Sequence, residues 1–206
     1  MVHENQFWIY DKVIPEHICD EIKKLGLSKD LGKGLTANKT PEEHQDDGLS
    51  ELLTYRDSDL NWLDENWIYK EIKPVVEQAN KDARWNYDWD RMEQAQFTKY
   101  AKGQYYKWHM DSKNKPFDDP EDLFLFNKVR KLSLSILLSH PDEYEGGDFE
   151  FDFSNVEAGT IRHPLKELSS KGSMVVFPSH TFHRVNPVTK GTRYSLVIWC
   201  VGDPFK

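Results

Sequence analysis

Cysteine is scarce in this 206-residue chain: only Cys19 and Cys200 occur, far apart and without metal-type spacing. Two such residues make no disulfide framework, and a reduced compartment is the simplest expectation. Long apolar runs are missing as well, so no segment reaches the length that spans a bilayer. The opening MVHENQFWIYDKV lacks the basic-then-apolar order of a secretory leader. Together these absences predict a soluble, cytoplasmic protein with no membrane partner. Basic charge is in deficit, with 27 Lys and Arg against 35 Asp and Glu and a net charge of −8. That disfavours gripping a polyanion through bulk electrostatics, and no nucleic-acid partner is expected. No internal repeat is visible, which removes solenoids and arrays.

What the chain has is aromatic surface, 13% of its residues, including seven Trp. At this length that suits one well-packed domain, residues 1–206, rather than two. From Pro15 to Leu25 an early Pro and the apolar Ile18, Ile22 and Leu25 predict an amphipathic helix. A second helical region, Asp64 to Ala83, has Ile68, Ile72, Val75, Val76 and Ala79 as its buried stripe. Pro74 inside it predicts a kink or two abutting helices. The polar, Gly-punctuated stretch from Lys29 to Ser50 reads as a long lid loop.

From Gln94 onward the pattern turns to short β-type runs: QAQFTKY, YYKWHMD, KLSLSILLS, GDFEFDF, SMVVFP and RYSLVIWCV. In the fourth, Phe149, Phe151 and Phe153 alternate with Asp148, Glu150 and Asp152, which predicts a strand with one wet face. Short strands between turn signals predict a sandwich or barrel, supported on one sheet by the helices. The expected class is therefore mainly β, α+β, with a helical support and lid loop over residues 1–93 and a β core over 94–201. A second long loop, Ser112 to Lys128, follows Asp111, and both loops would border one site.

The chemistry begins in YYKWHMD. Residues i and i+2 of a strand share a face, so His109 and Asp111 project side by side. That arrangement suits a metal, and equally an ordinary surface pair. Of the eight His, His180 and His183 lie just past the run SMVVFP. If one of them met His109 and Asp111, two imidazoles and one carboxylate would occupy one face of a metal. Non-haem Fe(II) oxygenases and hydrolytic zinc sites both use such donors. In RYSLVIWCV, alternation puts Arg193, Ser195, Val197 and Trp199 on one face and Tyr194, Leu196, Ile198 and Cys200 on the other. Were the first face inward, a buried guanidinium would need a carboxylate, which a diacid ligand would supply.

The stretches YAKGQYYKWHMD, RKLSLSILLSHPDEYEGGDFEF and KGSMVVFPSHTFHRVNPVTKGTRYSLVIW resemble the Fe(II)/2-oxoglutarate-dependent dioxygenases, in their prolyl 4-hydroxylase-like branch. The shared order is His-x-Asp, a Gly-Gly hairpin, a Lys-Gly strand entry, a distal His, Pro-Val, Gly-x-Arg and Trp. The helical opening is similar to that group too, so the resemblance covers nearly the whole chain. It implies a double-stranded β-helix, or jelly-roll, core with N-terminal helices packed on one sheet. It implies His109, Asp111 and His183 as metal ligands, His183 being selected because only it stands ten residues before Arg193. Arg193 would hold the distal carboxylate of 2-oxoglutarate, with Tyr100 lining that pocket. Tyr106, Arg130 and Trp199 would contact a peptide substrate. Where some relatives carry a second hydroxyl to the distal carboxylate, this chain has Leu137, and Ser135 on the same strand face is the substitute. Strand parity sets Arg130 opposite to Ser135 and Tyr106 opposite to His109, so a bulge or strand end must intervene in each case.

The implied cofactors are Fe(II), 2-oxoglutarate as cosubstrate and O2, with ascorbate as a candidate auxiliary. The implied reaction couples oxidative decarboxylation of 2-oxoglutarate to hydroxylation of an unactivated C–H bond, in the first place on a prolyl residue of a peptide or protein. Alternatives are a free amino acid or another side chain as substrate, a non-catalytic jelly-roll metal-binding module, or nucleic-acid demethylation. The demethylating branch carries a second Arg six residues after the first, where this chain has Trp199. Oligomeric state is not encoded in any motif.

Overall fold

A computed structural model describes residues 5–34, 55–113, 115–154 and 159–205. Most of the loop expected over Lys29 to Ser50, from residue 35 on, lies outside the described residues. The first predicted helix is α1 (Glu16–Ser28), which begins directly after Pro15. The second, α2 (Asn66–Asp82), is a single helix that runs through Pro74. Of the two expected outcomes, a pair of abutting helices does not form. Pro74 sits on the exposed face, and so does Lys70, whose carbonyl loses its helical donor; water can serve that carbonyl.

Strands also occur where the sequence pattern showed only helices and a loop. These are β1 (Trp8–Tyr10), β2 (Gly32–Lys33), β3 (Arg56–Asp57), β4 (Asp59–Leu63) and β5 (Arg91–Met92). Most are two or three residues long, too short for alternation to register. Each forms by pairing with a longer strand. The longer framework is β6 (Ala95–Ala101), β7 (Tyr105–His109), β8 (Val129–Leu137), β9 (Tyr144–Gly146), β10 (Phe149–Asp152), β11 (Arg162–Pro164), β12 (Met174–Pro178), β13 (Phe182–Val185) and β14 (Val188–Gly202).

Two antiparallel sheets result. The larger runs β1-β12-β8-β14-β6-β4-β2, with β5 and β9 also on β14, and the smaller runs β11-β10-β13-β7-β3. The alternation of β14 decides what each face of the large sheet meets. Leu196, Ile198 and Cys200 join Ile22, Ile68, Ile72 and Val76 of the two helices in one apolar core. On the opposite face Leu137, Val175 and Phe177 meet Phe149, Phe151 and Val185 of the small sheet in a second core. The mainly β jelly-roll with helices on one sheet is the fold observed. The strand expected to keep one wet face departs in one respect: Glu150 is buried, because Arg184 beside it on β13 bonds it at 2.6 Å.

Candidate metal centre

β7 and β13 pair antiparallel with His109 directly opposite His183. Asp111 follows β7, and the amide N–H groups of Asp111 and Ser112 both donate to the Ser179 carbonyl at 2.9 Å. This ties the segment to the turn before β13. One imidazole nitrogen from each His and one oxygen of Asp111 consequently lie within 4.8 Å of one another. His180, three residues before His183, is exposed instead.

Backbone carbonyls orient both rings. His109 Nδ1 donates to the Lys107 carbonyl at 2.8 Å, and His183 Nδ1 donates to the Thr181 carbonyl at 2.9 Å. Since a carbonyl only accepts, Nδ1 carries the proton and Nε2 presents its lone pair inward. Each Nε2 stands 3.6 Å from a different oxygen of Asp111. That is too long for a hydrogen bond, and close to the spacing of neighbouring donors around an ion with bonds of about 2.1 Å. Burial works to raise the Asp111 carboxyl, but the His183 and His109 imidazoles and the Arg130 guanidinium hold it well below the usual carboxylate range. Burial, and then the neighbouring His109, push the His183 imidazole down to about 4. A carboxylate beside a neutral His183 imidazole is the protonation state that metal binding requires.

Among the described residues, five buried side-chain polar atoms have no hydrogen-bond partner. Three of them, Asp111 Oδ2, Arg193 Nη1 and Trp199 Nε1, belong to residues lining one pocket. Buried polar atoms are nearly always satisfied, so a cluster of orphans marks where a ligand supplies the partners. The donor set and the orphaned guanidinium together fit a metal ion with a diacid beside it. Arg193 is only 2% exposed. It faces the Tyr100 ring, 5.9 Å away, from the neighbouring strand. The Gly-Gly hairpin makes room for it: Gly147 has φ +66°, and a Cβ there would come within 3.0 Å of Arg193 Cδ. Ser135 and Tyr100 line the same pocket, while Leu137 is buried in the inter-sheet core. Open space among these side chains is about 30 Å³.

Two bulges bring in the residues of contrary parity. Between β7 and β13 the register shifts, His183 facing His109 but Val185 facing Tyr106, so β7 spends one extra residue. The Tyr106 ring thereby stacks on His109, with centroids 3.5 Å apart. Between β8 and β14, Cys200 faces Leu132 while Val201 faces Arg130. The Arg130 guanidinium lies 3.9 Å from the centroid of the Trp199 ring. Two of its N–H groups donate to Glu93 at 2.6 and 2.7 Å.

Three lining or supporting residues escaped the sequence reasoning. Arg56 is buried in the pocket wall, donating to Ser58 at 2.8 Å and to Gln96 at 2.7 Å, with its guanidinium over Tyr106. Gln96 shares its strand parity with Tyr100, a signal that could have found it. Arg56 and Glu93 lie on or beside strands of two residues, where no periodicity exists to read.

The model of the 2OG-Fe(II) oxygenase superfamily matches residues 95–201, just over half of the chain. A PKHD-type hydroxylase of Delftia acidovorans is 38% identical over 104 residues, which cover 50% of this chain and 41% of that one. A second, from Psychrobacter, is 35% identical over 103 residues, covering 50% and 36%. The chain thus spans about two fifths of the length of the curated relatives it matches. In fold it is similar to the prolyl-4-hydroxylase of Pseudomonas putida, with TM-score 0.67 and 16% identity over 96% of this chain and 93% of that one. It is also similar to the viral collagen prolyl hydroxylase of Paramecium Bursaria Chlorella virus-1, with TM-score 0.64 and 18% identity over 97% of both. The cofactors of the matched family are Fe(II) and 2-oxoglutarate, and the two imidazoles and carboxylate suit that ion. By the match across its β core, the chain belongs to the 2OG-Fe(II) oxygenase superfamily.

Proposed function

We propose that this protein is an Fe(II)- and 2-oxoglutarate-dependent dioxygenase that hydroxylates a prolyl residue in a peptide or protein. His109, Asp111 and His183 hold the metal, and Arg193 holds the far carboxylate of the diacid with Tyr100 and Ser135 alongside. Tyr106, Arg130 and Trp199 receive the substrate. The observation that carries the reading is the convergence of a metal-ready donor set, an unpaired buried guanidinium and an unpaired indole N–H on one pocket. When bound there, iron and cosubstrate would supply the oxygen chemistry that attacks an unactivated C–H bond.

The chain's own residues do the rest. The Lys107 and Thr181 carbonyls keep both imidazoles with Nε2 inward, and the bonds to Ser179 keep Asp111 between them. Arg193 fixes the orientation of the diacid, since a guanidinium binds a carboxylate through two parallel bonds. Phe149 and Phe177 pack around His183 and exclude water. Glu93 holds Arg130 flat over Trp199, and the Trp199 indole is left to donate to a substrate carbonyl.

A peptide or protein substrate is supported by a neighbour in fold. A structurally similar prolyl hydroxylase from Trichoplax adhaerens was solved with a hypoxia inducible factor peptide fragment, at TM-score 0.62 and 16% identity. The test has two stages. Anaerobic addition of Fe(II) and 2-oxoglutarate should produce a visible charge-transfer band, and admission of air should release succinate. Proline-containing peptides should then gain oxygen by mass spectrometry. Absence of band and succinate ends the enzyme reading; succinate without peptide oxidation ends the prolyl substrate.

A further inference from the structure

Arg193 borders two cavities. One is the donor pocket; the other, of about 200 Å³, is formed by the Gly146-Gly147 hairpin, Pro141 and the segment after β11. Phe149 and Arg193 line both, so the two spaces share two residues of their walls. On the metal side the Phe149 ring stacks on His183, with centroids 5.3 Å apart. On the other side Gly147, against which the Arg193 stem packs, lines the second cavity. The Leu165 N–H donates to the Phe149 carbonyl at 2.8 Å. That bond holds the chain after β11 against β10 and sets Lys166 and Ser169 into the cavity wall.

The wall chemistry specifies the occupant. Two cations, Arg193 and Lys166, face one carboxylate, Asp148, so positive charge is in excess. Neither cation forms an ion pair among the described residues, and the buried Arg193 Nη1 has no hydrogen-bond partner there. A guanidinium, an ammonium and the Ser169 hydroxyl together offer donors to an anion. Phe149, Leu165 and Leu168 are buried and add apolar surface. A few convergent polar groups over an apolar floor are the makings of a small-molecule site. A carboxylate on a short carbon chain satisfies both halves, whereas inorganic phosphate satisfies only the charged one.

We propose that this cavity binds a small carboxylic acid anion, and that its occupancy weakens binding of the diacid in the donor pocket. Both anions draw on one guanidinium, and their like charges repel across it. The coupling rests on the reading of Arg193 as the diacid's anchor; the site itself does not. By linkage the weakening is mutual, so turnover would respond to small organic acids besides the cosubstrate.

The metal-free chain is titrated at low ionic strength with butyrate and with inorganic phosphate, following melting temperature and, for butyrate, NMR line width. Butyrate binds more tightly than phosphate, and Lys166→Ala weakens it by about tenfold, as loss of a charged hydrogen-bond donor should. Lys166→Arg, which keeps the charge, retains binding. Lys166 is exposed, so neither change should disturb folding, and the melting curves verify this. In an anaerobic titration with Fe(II), saturating butyrate raises the Kd of 2-oxoglutarate by about tenfold in the native chain and leaves it unchanged in Lys166→Ala.

No butyrate binding, or equal binding in Lys166→Ala, overturns the proposal. Phosphate binding as tight as butyrate overturns the organic acid assignment. Lys166-dependent butyrate binding with an unaltered Kd for 2-oxoglutarate keeps the site and removes Arg193 as the shared anchor. The same binding in a chain that takes up no 2-oxoglutarate keeps the site and ends the dioxygenase reading.

Discussion

The two faces of β14 carry one alternating sequence into opposite roles. Toward the helices, Leu196, Ile198 and Cys200 are fully buried among apolar neighbours. Toward the small sheet, Arg193, Ser195, Val197 and Trp199 line a pocket in which Arg193 Nη1 and Trp199 Nε1 have no hydrogen-bond partner among the described residues. The first face contributes burial at about 25 cal/mol per Å² of apolar area. The second holds an uncompensated charge, which costs several kcal/mol in a dry interior. One strand thus stores stability on one side and sacrifices some on the other, as sites of function commonly do. The difference can be broken by substitution.

The largest effect falls on the pocket side. His183→Ala should lower turnover by more than about 100-fold, since even partners that merely orient ligands are worth about 10- to 100-fold. Succinate release and Fe(II) affinity measure it, and the melting temperature should hold or rise. On the helix side the outcome inverts: Ile198→Ala should lose about 2–5 kcal/mol of stability in urea unfolding, with 2-oxoglutarate affinity little changed. Arg193→Leu sharpens the comparison most directly. Replacing an unpaired buried cation by an apolar side chain should raise the melting temperature by about 2–4 °C per kcal/mol recovered, while abolishing stabilisation by 2-oxoglutarate. Lower stability in that variant would show that Arg193 has a partner in the protein. The smallest effect belongs to Ser135→Ala, which should raise KM for 2-oxoglutarate a few-fold, about one hydrogen bond of about 1 kcal/mol. No change would leave Arg193 as the sole anchor.

Legibility in the sequence followed the range of the interaction. Alternation in RYSLVIWCV assigned the two faces of β14 correctly, because side-chain direction along a strand is a local property. The same rule set Tyr106 and Arg130 on the contrary parity and so required a bulge or strand end in each case, but where the register shifts only the paired strands show. β1 to β5 were invisible for a related reason: strands this short exist because a neighbour offers unpaired backbone, and nothing in RD or GK says so. Pro74 allowed a kink or two abutting helices, and the chain runs through it as one helix with Pro74 on the exposed face. Glu150 read as solvent-facing until Arg184 arrived from another strand to bury it.

By itself, then, the sequence determined which donors were available, their order along the chain, the helical and strand periods of its longer segments, and the ten residues separating His183 from Arg193. Only the tertiary structure decided that His109 and Asp111 meet a His some seventy residues further on, that bulges bring Tyr106 and Arg130 round to them, and that Arg193 ends buried with its Nη1 unpartnered among the described residues. The division has a physical cause. Periodicity is set by backbone geometry within a few residues, whereas convergence depends on cross-strand register, which hydrogen bonds between distant segments establish.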